Sequence, residues 1–220
     1  MDIAWLGQAC FKLKGKQAAV VIDPFDPEFV GLKLPKDLSA DVVLSSHSHQ
    51  DHNNLSSVAG EPMQFSGPGE YEVKGVVITG ISSYHDNSQG SERGLNTIFN
   101  VYMDGLNIVH LGDLGQDSLT EEQVAQIGEV DILLIPVGGV YTINGKIASY
   151  IVSQLEPKIV IPMHYKQSLP ADAGKIEDLE GVEPFLKEMG TEGITGEAKL
   201  TITQEKLPEE SQVVLLAKPS

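Results

Sequence analysis

Ser46-His47-Ser48-His49-Gln50-Asp51-His52 places three imidazoles and a carboxylate within six residues, directly behind the apolar run Asp41-Val-Val-Leu-Ser-Ser46. A continuous apolar run of that length predicts a strand buried on both faces. The pattern H-x-H-x-D-H would arise by chance in only about three of ten thousand chains of this composition. In an extended segment alternate residues point the same way. His47 and His49 can therefore grip one cation, while Asp51 and His52, as the chain turns, face a neighbouring position. Imidazole and carboxylate suit zinc, iron or manganese, and a chain with a single Cys cannot build a thiolate cage. The pattern thus points to an open, catalytic metal site and not a closed structural one. The competing reading is a solvated His-rich loop, and the strand-end position argues against it.

Outward from this stretch, three further residues recur in the same setting. His85 follows the predicted strand Val76–Ile81, Asp113 follows Asn107–Leu111, and His164 follows Lys158–Pro162. Each alone reads as a hydrogen-bonded turn residue, but with the His47 cluster they read as ligands. The rest of the chain predicts strands at Asp2–Leu6, Cys10–Lys14, Ala18–Asp23, Gln64–Phe65, Thr97–Met103 and Asp131–Pro136, with closing strands at Lys199–Thr203 and Gln212–Ala217. Asp104-Gly105 signals a hairpin. Helices are predicted at Thr120–Ile127, opened by the capping box Thr120-Glu-Glu-Gln123, at Ile147–Leu155 and at Glu183–Met189. β meanders passing into β-α-β alternation predict two sheets with helices outside, in one domain over residues 1–220.

Asp23 in VVIDPF, SHSHQDH, His85, Gly112-Asp113 and His164 in PMHY resemble, in order, the five motifs of the metallo-β-lactamase-fold hydrolases. The length, the WLG opening and the PMHY ending most resemble the zinc-dependent hydrolases related to L-ascorbate-6-phosphate lactonase. The resemblance implies a four-layer αββα sandwich with metals at the sheet edge. It makes His47, His49 and His85 ligands of a first metal and Asp51, His52 and His164 ligands of a second, with Asp113 bridging both. Asp23 would support the ligands from behind. Gln8 stands where relatives often carry His in the LGH segment, a departure that bears on a pocket hydrogen bond and leaves the metal donors in place.

Composition narrows the function. With 31 Asp plus Glu against 15 Lys plus Arg, the net charge is −16. The chain lacks the basic footprint of a nucleic-acid coat, and no apolar run approaches the roughly 20 residues of a membrane-spanning helix. The lone Cys and the absence of an apolar leader at the opening predict a cytoplasmic protein; a homo-oligomer is left open. Two divalent cations would outweigh ionised Asp51 and Asp113, so the pocket is expected to attract an anionic small-molecule substrate although the whole chain is acidic.

The leading expectation is a hydrolase that uses a metal-bound hydroxide on a small ester, lactone or phosphoester, with one or two ions of Zn2+ or else Mn2+ or Fe2+. Asp51 is the residue expected to orient the water or take its proton. A nuclease or phosphodiesterase, and a metal-binding sensor or scaffold without turnover, are the alternatives. Arg93 and Asn96 in GSERGLNT, Tyr141 after Gly138-Gly139, and Tyr165 are expected to line the pocket. For Arg93 a structural ion pair with Asp86 is an equal alternative. His110, three residues before Asp113, reads as a core His or one that supports the ligands, and Cys10 as a small buried hydrophobe.

Overall fold

β3 (Ala19–Ile22) and β4 (Val42–Ser45) show how the apolar runs of the first third become strands covered on both faces. They pair in parallel, Val20 beside Val42 and Ile22 beside Leu44. These four side chains join one buried cluster, whereas Val21 and Val43, alternating with them, join a second. The second cluster is closed by Phe25, Val30, Leu32 and Leu38 from the segment between the two strands. That segment contains α1 (Pro27–Val30), a single turn capped by the Asp26 carboxylate, which accepts from the Glu28 amide at 2.9 Å.

The structure is a computed structural model and describes residues 1–167 and 178–218. The first sheet also contains β1 (Asp2–Gly7), β2 (Cys10–Lys14), β5 (Met63–Ser66) and β12 (Leu200–Thr201), in the order β12-β1-β2-β3-β4-β5. The second sheet contains β6 (Gly69–Val73), β7 (Val76–Tyr84), β8 (Leu95–Met103), β9 (Leu106–His110), β10 (Ile132–Pro136), β11 (Ile159–Met163) and β13 (Gln212–Val213), in the order β13-β11-β10-β9-β8-β7-β6. Both sheets are mixed. The second is antiparallel from β6 to β9 and parallel from β9 through β10 and β11 to β13. The main cluster unites Phe11, Leu13 and Leu44 of the first sheet with Phe99, Val101 and Leu134 of the second, which makes the interior of the sandwich.

Helices flank the sheets. α2 (Glu121–Ile127) starts with the anticipated capping box: the Gln123 amide donates to Thr120 Oγ1 at 3.1 Å and the Thr120 amide to Gln123 Oε1 at 3.0 Å. α3 (Gly145–Leu155) is capped by Asn144 and sends Ala148, Ile151 and Leu155 into the main cluster. α4 (Glu183–Glu188) contributes Phe185 and Leu186. The hairpin at Asp104-Gly105 forms as read, with both residues at positive φ and Met103 paired to Leu106.

Several boundaries differ from the sequence reading. β6 went unanticipated because Gly67-Pro68-Gly69 reads as a turn, yet Gly69 already pairs with Gly80. β7 runs to Tyr84 and β8 starts at Leu95, since each borrows the other's hydrogen bonds beyond its own apolar run. The closing strands shorten to β12 and β13, which pair only at the sheet margins.

Candidate metal centre

All the predicted donors lie at one end of the sandwich. Residues 46–52 leave β4, His85 leaves β7, Asp113 follows β9 and His164 follows β11. Two backbone hydrogen bonds join the sheets here. The Thr97 amide of β8 donates to the Ser46 carbonyl at 3.0 Å, and the His164 amide donates to the carbonyl of Gln8, in the β1–β2 turn, at 3.0 Å. Gln8 and His164 both have left-handed φ, 52° and 51°, a conformation worth roughly 1–3 kcal/mol of strain for a non-glycine residue. That one hydrogen bond ties the two strained positions together.

The donors fall into two groups: His47, His49 and His85, and Asp51, His52, Asp113 and His164. Within each group the donor atoms lie within 4.8 Å of one another. Asp113 Oδ2 connects the groups. It lies 3.1 Å from His52 Nε2, 3.2 Å from His164 Nε2, 3.2 Å from His85 Nε2 and 3.9 Å from His47 Nε2. His47 Nε2 and His49 Nδ1 face each other at 3.0 Å.

Behind the donors, polar residues fix ring orientation. Asp23, fully buried, accepts from the Ser46 amide at 2.7 Å and the Ser46 hydroxyl at 2.6 Å, and its Oδ2 lies 2.8 Å from His52 Nδ1. That contact leaves His52 Nε2 turned toward Asp51 and Asp113. Ser46 Oγ also lies 2.9 Å from His47 Nδ1, which commits Nε2 of that ring to the cluster. His110 supports Asp113 through the backbone: its Nε2 donates to the Ala9 carbonyl at 2.8 Å and its Nδ1 accepts from the Gly112 amide at 3.0 Å. Gly112 is required in this turn. It has φ 57°, and a Cβ there would run into Asn96 Oδ1 and Ser46.

The donor set fits a pair of divalent cations. It consists of imidazole and carboxylate, and two of its atoms, His52 Nε2 and Asp113 Oδ1, are buried with no hydrogen-bond partner. Buried polar atoms are nearly always satisfied, so an orphan such as His52 Nε2, 3.1 Å from Asp113 Oδ2 and 3.4 Å from Asp51 Oδ2, suits a cation. The electrostatics agree. Burial, reinforced by His52, pushes the His47 imidazole down to about 3 and lowers His49 as well, where His85 adds. Those two rings are neutral and ready to ligate. Burial also opposes charge on His52 and His164, but Asp113 and Asp51 outweigh it, raising His52 well above the usual range and His164 to about 9. Asp113 and Asp51 are correspondingly held below the usual carboxylate range despite burial, by those same rings.

The sign of the pH dependence follows. In the metal-free protein at pH 7 to 8 the His52 and His164 imidazoles carry protons, and they must lose them to ligate. Filling the second group should therefore release about one to two protons per chain. Affinity should fall as pH drops and rise toward pH 9. An indicator dye in weak buffer measures this; metal uptake at pH 7.5 with no proton release would contradict it. A second expectation concerns Asp23. Asp23→Asn should weaken metal affinity roughly 10–100-fold, the usual effect of losing a partner behind a ligating His, as read by chelator competition. Unchanged affinity would remove Asp23 from that role.

Of the residues expected to contact substrate, the structure brings some to the cavity and not others. Arg93 and Tyr141 line a cavity of about 440 Å³ that also reaches His49, Asp51, His85 and Asp113. Asn96 does not, and that expectation is corrected. It is 1% exposed, its amide nitrogen donates to Ser83 Oγ at 2.7 Å and the Leu111 carbonyl at 2.9 Å, and its Oδ1 accepts from the Asp113 amide at 3.0 Å. Its polar atoms are spent on holding Asp113. Tyr165 is corrected too: it is buried, with its ring 5.1 Å from that of Trp5, because the strand end turns it into the core. The ion pair considered for Arg93 and Asp86 is absent, since the Asp86 carboxylate is occupied by backbone amides. The sequence left the role of Gln8 open; it is fully buried and its Nε2 lies 3.0 Å from Asp51 Oδ2 and 2.7 Å from His164 Nε2. Only the long-range contact between the β1–β2 turn and β11 reveals this.

Two mixed sheets flanked by helices, with clustered His and Asp donors at one end, define the class: a metallo-β-lactamase-like fold with a candidate two-cluster metal site. The comparisons go further. Residues 2–164 match the family model described as the Beta-lactamase superfamily domain. A metal-dependent hydrolase of Methanoculleus marisnigri is 30% identical over 205 residues, covering 82% of this chain and 87% of that protein. One from Thermoplasma acidophilum is 32% identical over 211 residues, covering 82% and 91%. A solved structure from Thermotoga maritima, assigned to the Zn-dependent hydrolases of the metallo-beta-lactamase superfamily, is 37% identical with a TM-score of 0.77, covering 98% of this chain and 97% of that one. The chain belongs to the beta-lactamase superfamily and, within it, to the metal-dependent hydrolases that these relatives represent.

Proposed function

We propose that this metal-dependent hydrolase binds two divalent cations, zinc foremost with manganese or iron as alternatives, and cleaves a small ester, lactone or phosphoester. The observation that best supports the reading is Asp113 Oδ2, set between imidazoles of both donor groups. His47, His49 and His85 would hold one cation, Asp51, His52 and His164 the other, and Asp113 both. Bound cations of this kind supply Lewis acidity and lower the pKa of water enough to give hydroxide near neutral pH.

The remaining work belongs to the chain's own groups. Asp51 lines the cavity and stays ionised, so it accepts a hydrogen bond from the attacking water and orients it. A carboxylate lying beside two cations would be a weak proton acceptor, which favours orientation over proton abstraction. Gln8 holds Asp51 in that pose. Asp23 and His110 keep His52 and the Asp113 turn in place. Donors come from both sheets, so we take the chain to act as one catalytic domain, in the cytoplasm, where a lone buried Cys10 is at home. A cavity of about 440 Å³ lies in the range of small-molecule sites, and a net charge of −16 disfavours a polyanionic nucleic acid.

A panel of lactones, phosphodiesters and thioesters, run with metal-loaded protein and with His49→Ala as control, tests the proposal. Hydrolysis of at least one class, lost in the control, is expected. No hydrolysis of any class would contradict it.

A further inference from the structure

We infer that Arg93 and Tyr141 form an anion-receiving subsite, and that the substrate carries a carboxylate or phosphate group apart from the bond that is cleaved; the inference rests on the hydrolase reading above. Among the described residues, Arg93 is the only Lys or Arg lining the cavity over the donor groups. Its guanidinium lies 4.8 Å from the Tyr141 ring centroid. The Lys and N-terminal ion pairs among the described residues lie elsewhere and do not involve it. An Arg parked on an aromatic face keeps its planar fork of N–H donors oriented while leaving them open to a bidentate oxyanion.

The loop that carries Arg93 is built to hold it there. Asp86, buried beside His85, accepts from the amides of Ser88 at 2.8 Å, Gly90 at 2.8 Å, Glu92 at 3.0 Å and Arg93 at 2.8 Å. The loop closes on the donor cluster through the His85 amide, which donates to the Gly94 carbonyl at 3.1 Å. Asp86 is thus a positioning residue. It takes the carboxylate that could have neutralised Arg93 and turns it into a scaffold, leaving the guanidinium for a ligand. The Phe29 and Tyr141 side chains in the same cavity give an apolar or flat substrate body something to rest on.

The test titrates metal-loaded protein calorimetrically with the dicarboxylates succinate, glutarate and adipate, and with butyrate as the monocarboxylate. One carboxylate is taken at the donor groups, and the second reports on the subsite. The best dicarboxylate should bind roughly tenfold or more tightly than butyrate, the effect of one charge-assisted bidentate contact. Arg93→Gln should abolish that advantage and Arg93→Lys should retain part of it. 3-Phosphonopropionate in the same series tells a phosphate preference from a carboxylate one. With esters, the ratio of kcat/KM for 4-acetoxybenzoate over phenyl acetate should fall roughly tenfold in Arg93→Gln, through KM. A dicarboxylate advantage that survives Arg93→Gln, or was never present, overturns the subsite. If no ester, lactone or phosphoester is hydrolysed but the Arg93-dependent advantage is found, the subsite stands and the hydrolase reading alone falls.

Discussion

Asp113→Asn should remove metal from both donor groups together and lower turnover by more than about 100-fold, because partners one step behind a ligand already contribute roughly 10–100-fold. Asp113 Oδ2 lies within 3.1 to 3.9 Å of imidazoles from both groups, and among the described residues no other single side chain reaches as many donors. The carboxylate also balances His52 and His164, which it raises in the metal-free protein. Loss of that charge should return both rings toward their ordinary titration range, and the metal-free variant should bind fewer protons at pH 7.5. Asn is close to Asp in shape and the Asp113 amide still reaches Asn96, so the turn should survive. Metal analysis and kcat measured on one preparation decide the matter. A variant with undiminished metal and near-normal kcat would show that Asp113 is not shared.

The second large effect is at Asp51. Asp51→Asn should lower kcat by about 10²–10⁴-fold, the range associated with a group that positions or moves a proton in the transition state. KM should change much less. Within its own donor group Asp51 is the most open, lining the cavity with 14% of its side chain exposed, while His52, His164 and Asp113 are almost sealed. Gln8 Nε2 donates to its Oδ2 at 3.0 Å, and an amide at position 51 would present its own N–H to that donor in one of its two flips. The substitution therefore disturbs both orientation and charge. If turnover persisted at the level of the unsubstituted protein, water orientation would have to be assigned elsewhere.

The donor cluster was legible because metal chemistry restricts residue type and strand ends restrict place. Three His and an Asp at H-x-H-x-D-H, with His85, Asp113 and His164 each behind an apolar run, leave few ways to be arranged except around a shared centre. Asp23 was legible by resemblance, but its physical role needed the geometry: two bonds from Ser46 and one contact with His52. The pocket wall was less legible. Asn96 and Tyr165 have the right residue types and lie close in sequence to His85 and His164, yet alternation along β8 and the turn after β11 send them inward. One of the two readings of Arg93 paired its side chain with Asp86, whereas Asp86 binds the Arg93 backbone, a distinction that sequence does not encode. Gln8 acts across 156 positions of sequence on His164, and no local pattern signals such a contact. α1 is four residues long, too short for any periodicity to show.

The central claim is a shared two-cation centre, and elemental analysis of protein purified without added metal tests it most directly. Close to two equivalents of zinc, manganese or iron per chain is predicted for the unsubstituted protein, falling well below that in Asp113→Asn. No bound metal, or a single equivalent that Asp113→Asn leaves unchanged, would contradict it.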